Sequence, residues 1–221
     1  MNFNYDNNEL KIISNEVHII ENLLTNIFGL YAVQIGLPID NFLQKSRIQN
    51  TYFFGENLIS NPDLQTIKLD VIHSLDQFPL LSNSIDLVVL PHLLEIIPDN
   101  IKIEVIFEEI ERVLISEGHI ILSGFNPFSF AGCKRILQNK SIHSLWKIFD
   151  CLNGFNLQVM ETKYVLQTDN LINRFNYFSC FGEIYIIHAI KRRFSGTKIP
   201  LKFPSLQHLK LGGIINKPKA I

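Results

Sequence analysis

The stretch "SNSIDLVVLP" at residues 82–91 constrains the fold more than any other. A continuous apolar run from Ile85 to Leu90, interrupted only by Asp86, lies between a polar turn and a proline. Successive side chains of a strand point to opposite faces, so such a run needs apolar cover on both sides. The interior of a mostly parallel α/β sheet supplies that cover.

The rest of the chain alternates in keeping with this. "LYAVQIG", "RIQNTYFFG" and "QTIKLDVI" read as earlier strands, and "HIILSG", "NLQVMETKYV" and "GEIYIIHAIKR" as later ones. Ser14 is the expected cap of a helix over Glu16 to Phe28, stopped by Gly29, with Val17, Ile20, Leu23, Leu24 and Ile27 on one stripe. A short helix is expected from Asp40 to Ser46. Residues 101–114 repeat apolar positions at Ile103, Ile106, Ile110, Val113 and Leu114, an amphipathic helix lying on a sheet, and residues 141–155 form another helix. Strand and helix alternate until two strands close the chain. The class is α/β, and ligands of such sheets sit beyond the carboxyl ends of the strands where strand order reverses.

A chain of 221 residues, 47% hydrophobic and 19% charged, suits one domain, expected over 1–193 with a lysine-bearing tail over 194–221. A net charge of −1 gives no global reason to expect nucleic-acid binding. Cys133, Cys151 and Cys180 have neither CxxC spacing nor a histidine cluster, so neither disulfides nor zinc is expected. With no basic leader followed by an apolar run, and no membrane-length apolar segment, a cytoplasmic location is the expectation.

"FPLLSNSIDLVVLPHLLEIIPDN", followed by "FEEIERVLISEGHIILSGFNP", resembles the methyltransferase type-11 branch of the class I S-adenosyl-L-methionine (SAM)-dependent methyltransferases. It is most similar to a bacterial subgroup with "LPH.LE" after the fourth strand and "GFNP.S..G" after the fifth. The likeness runs from about Glu21 to about Arg192. It implies a Rossmann-like, seven-stranded, mostly parallel sheet with helices on both faces, and SAM as cofactor.

The family's Gly-x-Gly-x-Gly turn after strand 1 is reduced here to "QIGLPID". Only Gly36 remains; Gln34 stands at the usual acid, and Pro38 and Asp40 at the later glycines. Proline lacks a backbone donor and fixes φ, so this turn cannot copy the usual cradle. Gly36 either contacts SAM or simply ends the strand. Gln34 is a candidate for the amino-acid end of SAM, and Asp40 for a helix cap or the ammonium. Glu56 is the candidate ribose acid and Asp76, ahead of Asp70, the adenine-side acid; surface carboxylates are the alternative for each. Leu90 and Pro91 complete the cofactor-side set.

Methyl transfer from a sulfonium mainly needs alignment in a dry pocket, and a base only where the nucleophile begins protonated. His92, at the end of strand 4, is the candidate catalytic residue, as base or acceptor-orienting group; the alternative is a histidine that bonds backbone and shapes the loop. Glu95 is its neighbour or holds the helix start. His73, His119 and His143 show no ligand spacing.

Asn126-Pro127-Phe128 looks like the Asn-Pro-Pro-Phe/Tyr signature of amine methyltransferases, but that signature follows strand 4, and this one follows strand 5 without the second proline. Phe125, Asn126 and Phe128 are candidates for the acceptor pocket, with a plain aromatic core under the loop as the alternative. The expected function is methyl transfer to a small-molecule acceptor; the alternative is an inactive scaffold that kept the fold.

Overall fold

In a computed structural model of the chain, the described residues are 7–36, 40–55, 70–72, 77–97, 101–137, 142–165 and 182–192. The strands are β1 (Tyr31–Ile35), β2 (Asn50–Gly55), β3 (Val71–Ile72), β4 (Ile85–Pro91), β5 (Leu114–Phe125), β6 (Leu157–Val165) and β7 (Ile184–Lys191). The helices are α1 (Asn7–Leu24), α2 (Leu93–Ile96), α3 (Ile103–Val113), α4 (Phe130–Leu137) and α5 (Leu145–Gly154).

The two-sided apolar run is the central strand of a seven-stranded sheet ordered β3-β2-β1-β4-β5-β7-β6. All pairings are parallel except those of β7 with β5 and β6. On β4, Val88 and Leu90 face one core while Leu87 and Val89 face the other, as the two-residue period of a strand requires. The first core is closed by Ile106, Phe107 and Ile110 of α3 and Ile148 and Leu152 of α5. The second is closed by Ile13, Ile20 and Leu24 of α1. Each of these side chains contributes about 1.5–3 kcal/mol by leaving water, so apolar cover on both faces holds β4 in the middle.

The polar face of α3 has its own task. Glu109 accepts a hydrogen bond from the Phe78 amide (2.9 Å), and Arg112 donates to the carbonyls of Phe78 (3.1 Å) and Leu80 (2.9 Å) and to Ser82 Oγ (3.1 Å). The two side chains also pair with each other at 2.7 Å. Together they clamp the segment that delivers β4, which accounts physically for the Glu and Arg of the "E..RVL" pattern.

Three local expectations change. Helix α1 begins at Asn7 and ends at Leu24 rather than spanning 16–28. Ser14 lies inside it, its hydroxyl donating to the Lys11 carbonyl, because Ile12 and Ile13 extend the buried stripe toward the N-terminus. Residues 41–46 form turns, with Gln44 and Ser46 amides bonding carbonyls three residues back. There Asp40 Oδ1 and Asn41 Oδ1 accept from the amides of Asn41 and Leu43, local bonds that compete with a helix. Finally, α4 follows the strand-5 loop, a helix absent from the sequence reading.

Candidate active site

The chain steps outward from β1 to β2 and β3 and then returns to place β4 on the other side of β1. Strand order reverses there, so the carboxyl ends of β1 and β4 flank the crevice such sheets offer a ligand. At the end of β1, Gly36 has φ +140°, and a Cβ on it would lie 2.5 Å from the Pro91 carbonyl oxygen. Only glycine permits that backbone and that approach of the two strand ends.

Gln34 is buried beneath this turn. Its Nε2 donates to the Asp40 carbonyl (2.8 Å) and its Oε1 accepts from the Phe42 amide (3.0 Å). The amide thus ties the end of β1 to residues 40–42. Leu90 packs into the core, and Pro91 presents its carbonyl to Gly36. Asp70 is tied to β2, accepting from the Phe53 amide at 2.8 Å. Glu56, Asp76, Pro38, His73, Cys180 and the tail lie outside the described residues.

Where β4 ends, His92 turns the chain with φ 50° and ψ 20°, a left-handed conformation uncommon outside glycine and often found at functional sites. The turn aims the imidazole inward, where it is 2% exposed. Nδ1 lies 3.0 Å from Glu95 Oε1 and Nε2 lies 3.0 Å from Glu16 Oε2. Glu95 Oε1 also accepts from the Phe125 amide, and Arg135 Nη1 stands 3.7 Å from Glu95 Oε2. The Phe125 ring is shared: its centroid is 4.8 Å from that of His92 and 4.0 Å from the Arg135 guanidinium carbon.

Glu16, His92, Glu95 and Arg135 are each at most 4% exposed, so each charge needs a nearby partner, and among the described residues they offer one another that. Two carboxylates and one guanidinium leave one negative charge, which a protonated His92 cancels. The geometry agrees, since both ring nitrogens face carboxylates and only the imidazolium donates from both. Burial pulls the His92 pKa down, but Glu16 and Glu95 outweigh it and raise it to about 10. For Glu95, burial works upward, and His92 and Arg135 win, holding the carboxyl below its usual range. Tyr185 is pushed the other way, by burial first and then by Glu95 and Glu16.

The strand-5 loop is built by its own motif. Asn126 Nδ2 donates to the Gly182 carbonyl (2.9 Å), Asn126 Oδ1 accepts from the Phe128 amide (3.1 Å), and the Asn126 carbonyl accepts from the Ser129 hydroxyl (2.8 Å). Ser129 Oγ in turn accepts from the Gly132 amide at 3.0 Å. Gly132 presses so closely on the Asn126 carbonyl that no Cβ fits. Phe125 and Asn126 are buried, whereas Phe128 and Phe130 are 69% and 83% exposed.

Sequence reasoning missed Glu16 and Arg135. The signal was present: Glu16 falls at helical spacing between Ile13 and Ile20, inside the apolar stripe of α1. A carboxylate there had to meet a buried partner. His119 and His188 lie 2.9 Å apart across β5 and β7, but no cluster of three metal-ligating side chains exists among the described residues. No described helix is long and apolar enough to cross a membrane.

Residues 55–122 match the family model described as a methyltransferase domain. Over that segment the chain is similar to a methyltransferase domain, and its fold is the class I methyltransferase fold. A solved S-adenosylmethionine-dependent methyltransferase from Mesorhizobium loti superposes on it with a TM-score of 0.56 at 14% identity, covering 78% of this chain and 96% of that one. The geranyl diphosphate C-methyltransferase of Streptomyces coelicolor A3(2), solved with Mg2+, geranyl diphosphate and S-adenosyl-L-homocysteine, gives 0.57 at 10% identity over 81% and 79%. The curated uncharacterized protein YafS of Escherichia coli (strain K12) is 27% identical over 150 residues, 62% of this chain. The match spans 59% of that relative's length. Of the elements of the sheet, β4 and most of β5 lie in the matched segment, and α1 with Glu16 lies before it.

Proposed function

We propose that this chain is a SAM-dependent methyltransferase acting on a small-molecule acceptor. The observation that carries the reading is the close approach of Gly36 to Pro91 at the reversal of strand order, with His92 immediately beyond it. That approach brings the ends of β1 and β4 together at the point where sheets of this order take a ligand. Gly36, Pro91 and Leu90, with Gln34 tying the end of β1 to residues 40–42, would hold SAM, and Glu56 and Asp76 are the acids proposed for its ribose and adenine. When bound, SAM supplies an activated methyl group on a sulfonium. The solved S. coelicolor methyltransferase, which carries the demethylated form of this cofactor, supports the assignment.

The protein's remaining work is orientation and exclusion of water. In this reading His92 is a fixed cation: with both N–H groups donated to carboxylates it ties α1 to the end of β4 beneath the site and has no lone pair with which to take a proton. Phe125 and Asn126, both buried, would form the inner wall of the acceptor pocket, and the exposed Phe128 its rim.

A second reading is a scaffold that kept the fold without the chemistry. It draws on Gln34, whose amide is spent on the chain's own turn rather than facing a ligand. Isothermal titration of the folded protein with SAM and with S-adenosyl-L-homocysteine separates the two. Saturable heat with both ligands is expected; no heat at millimolar concentrations would leave the scaffold.

A further inference from the structure

We propose that Glu16 is a positioning residue of the candidate site: its carboxylate holds His92 as a doubly donating imidazolium of fixed orientation, which restricts methyl transfer to acceptors that are nucleophilic without first losing a proton. The inference rests on the methyltransferase reading and adds the residue that sets the state of His92.

Position 16 is where α1 would gain most from an aliphatic side chain. Ile13 precedes it on the stripe and Ile20 follows, both buried against the sheet. A fully buried carboxylate there costs desolvation that an isoleucine would not. What Glu16 obtains is the 3.0 Å contact with His92 Nε2. The pairing is not needed to neutralise Glu95, which already has Arg135 at 3.7 Å and the Phe125 amide. With Glu95 and Arg135 alone, charge balance would leave His92 neutral; Glu16 is the added negative charge that requires its proton.

Several described elements take part. Glu16 comes from α1, Glu95 from α2, Phe125 from β5 and Arg135 from α4, while Tyr185 of β7 stands near enough to feel both carboxylates. Ser123 Oγ, also buried, has no hydrogen-bond partner among the described residues. The imidazole is therefore pinned at both nitrogens and on its face.

An imidazolium so held accepts no proton. An acceptor must then be nucleophilic in the form it takes at working pH, as a neutral amine, a thiolate, a phenolate or a carboxylate is, whereas an aliphatic alcohol needs a base to remove its proton. The acceptor's lone pair forms the new bond to the methyl carbon as the electrons of the carbon–sulfur bond pass to sulfur. An amine acceptor then releases its proton to water.

The test is the protonation state of His92, followed by 15N histidine spectra of the full chain between about pH 6 and 9. Both nitrogens should remain protonated throughout. In Glu16→Gln the titration midpoint should fall by at least about one unit, a tenfold loss of proton affinity, and Glu16→Asp should restore part of it. A neutral His92 in the unaltered protein at pH 8, or a midpoint that Glu16→Gln leaves in place, overturns the proposal. Should Glu16→Gln fail to fold, the spectrum of the unaltered protein decides alone. Turnover of a simple aliphatic alcohol with SAM overturns the acceptor restriction. Failure of SAM to bind while His92 still responds to Glu16 removes the methyltransferase reading and leaves the coupling intact, so the two failures are distinguishable.

Discussion

His92 Nε2 lies 3.0 Å from Oε2 of Glu16, a residue 76 positions earlier in the chain, and both side chains are sealed from solvent. That pair joins α1 to the end of β4 and makes the N-terminal helix part of the candidate site. The consequences can be measured.

Stability should fall as the solution becomes alkaline. His92 has its folded pKa raised from 6.5 to about 10, so the folded state binds its proton more tightly than the unfolded state. That contribution is fully present below the unfolded value and is lost as pH rises through the folded one. Glu95, depressed in the folded state, acts in the other direction, its share being lost only as pH falls through its lowered value. Urea denaturation across pH 6.5 to 10 should show a steady loss; a flat profile would count against the buried imidazolium.

Removing the cation should cost more than removing the cluster. His92→Leu leaves Glu16 and Glu95 without it and should destabilise the fold by about 3–5 kcal/mol. Adding Glu16→Leu should recover a substantial part of that loss, because the two changes act on one network. Chemical denaturation of both single variants and the double variant gives the coupling, and strict additivity would refute it.

Arg112→Ala should loosen the segment that delivers β4. It removes the donors that hold the Phe78 and Leu80 carbonyls and should cost about 1.5–3 kcal/mol, the range for hydrogen bonds to charged groups. Hydrogen exchange should quicken at the Phe78 amide, held by Glu109, while the β4 core stays protected.

Gly36→Ala should damage binding and stability together. The new Cβ meets the Pro91 carbonyl oxygen, which is backbone and cannot swing aside. A cost of about 1–3 kcal/mol is expected from strain and overpacking, with a measurable loss of SAM affinity by titration calorimetry. Unchanged affinity would place the cofactor away from Gly36.

Gly132→Ala tests the strand-5 loop instead. The added methyl collides with the Asn126 carbonyl, so the turn and the start of α4 must shift, again for about 1–3 kcal/mol. Thermal melting should show the loss. Since Asn126 lines the proposed acceptor wall, any effect on SAM affinity should be smaller than that of Gly36→Ala.

Much of the fold was legible because it depends on short-range pattern. The two-sided apolar run required β4 to be covered on both faces, and the helical spacing from Ile103 to Val113 required a helix against it. The "GFNP.S..G" and "E..RVL" segments were legible as motifs, but not their reason: one is a hydrogen-bonded turn closed by Gly132, the other a clamp on residues 78–82. Where local competition decided the outcome, as with side-chain bonds to backbone at residues 40–46, periodicity alone misplaced a helix.

The sequence by itself determined the alternation of strands and helices, the central strand and the strand ends where a ligand belongs, since each follows from the spacing of apolar residues and turn formers. Only the tertiary structure decided the state of His92. Its protonation depends on charges carried by α1, α2 and α4, whose separation along the chain says nothing about their separation in space. Inside a core that excludes water, those few ångströms decide whether the ring is a base or a fixed cation.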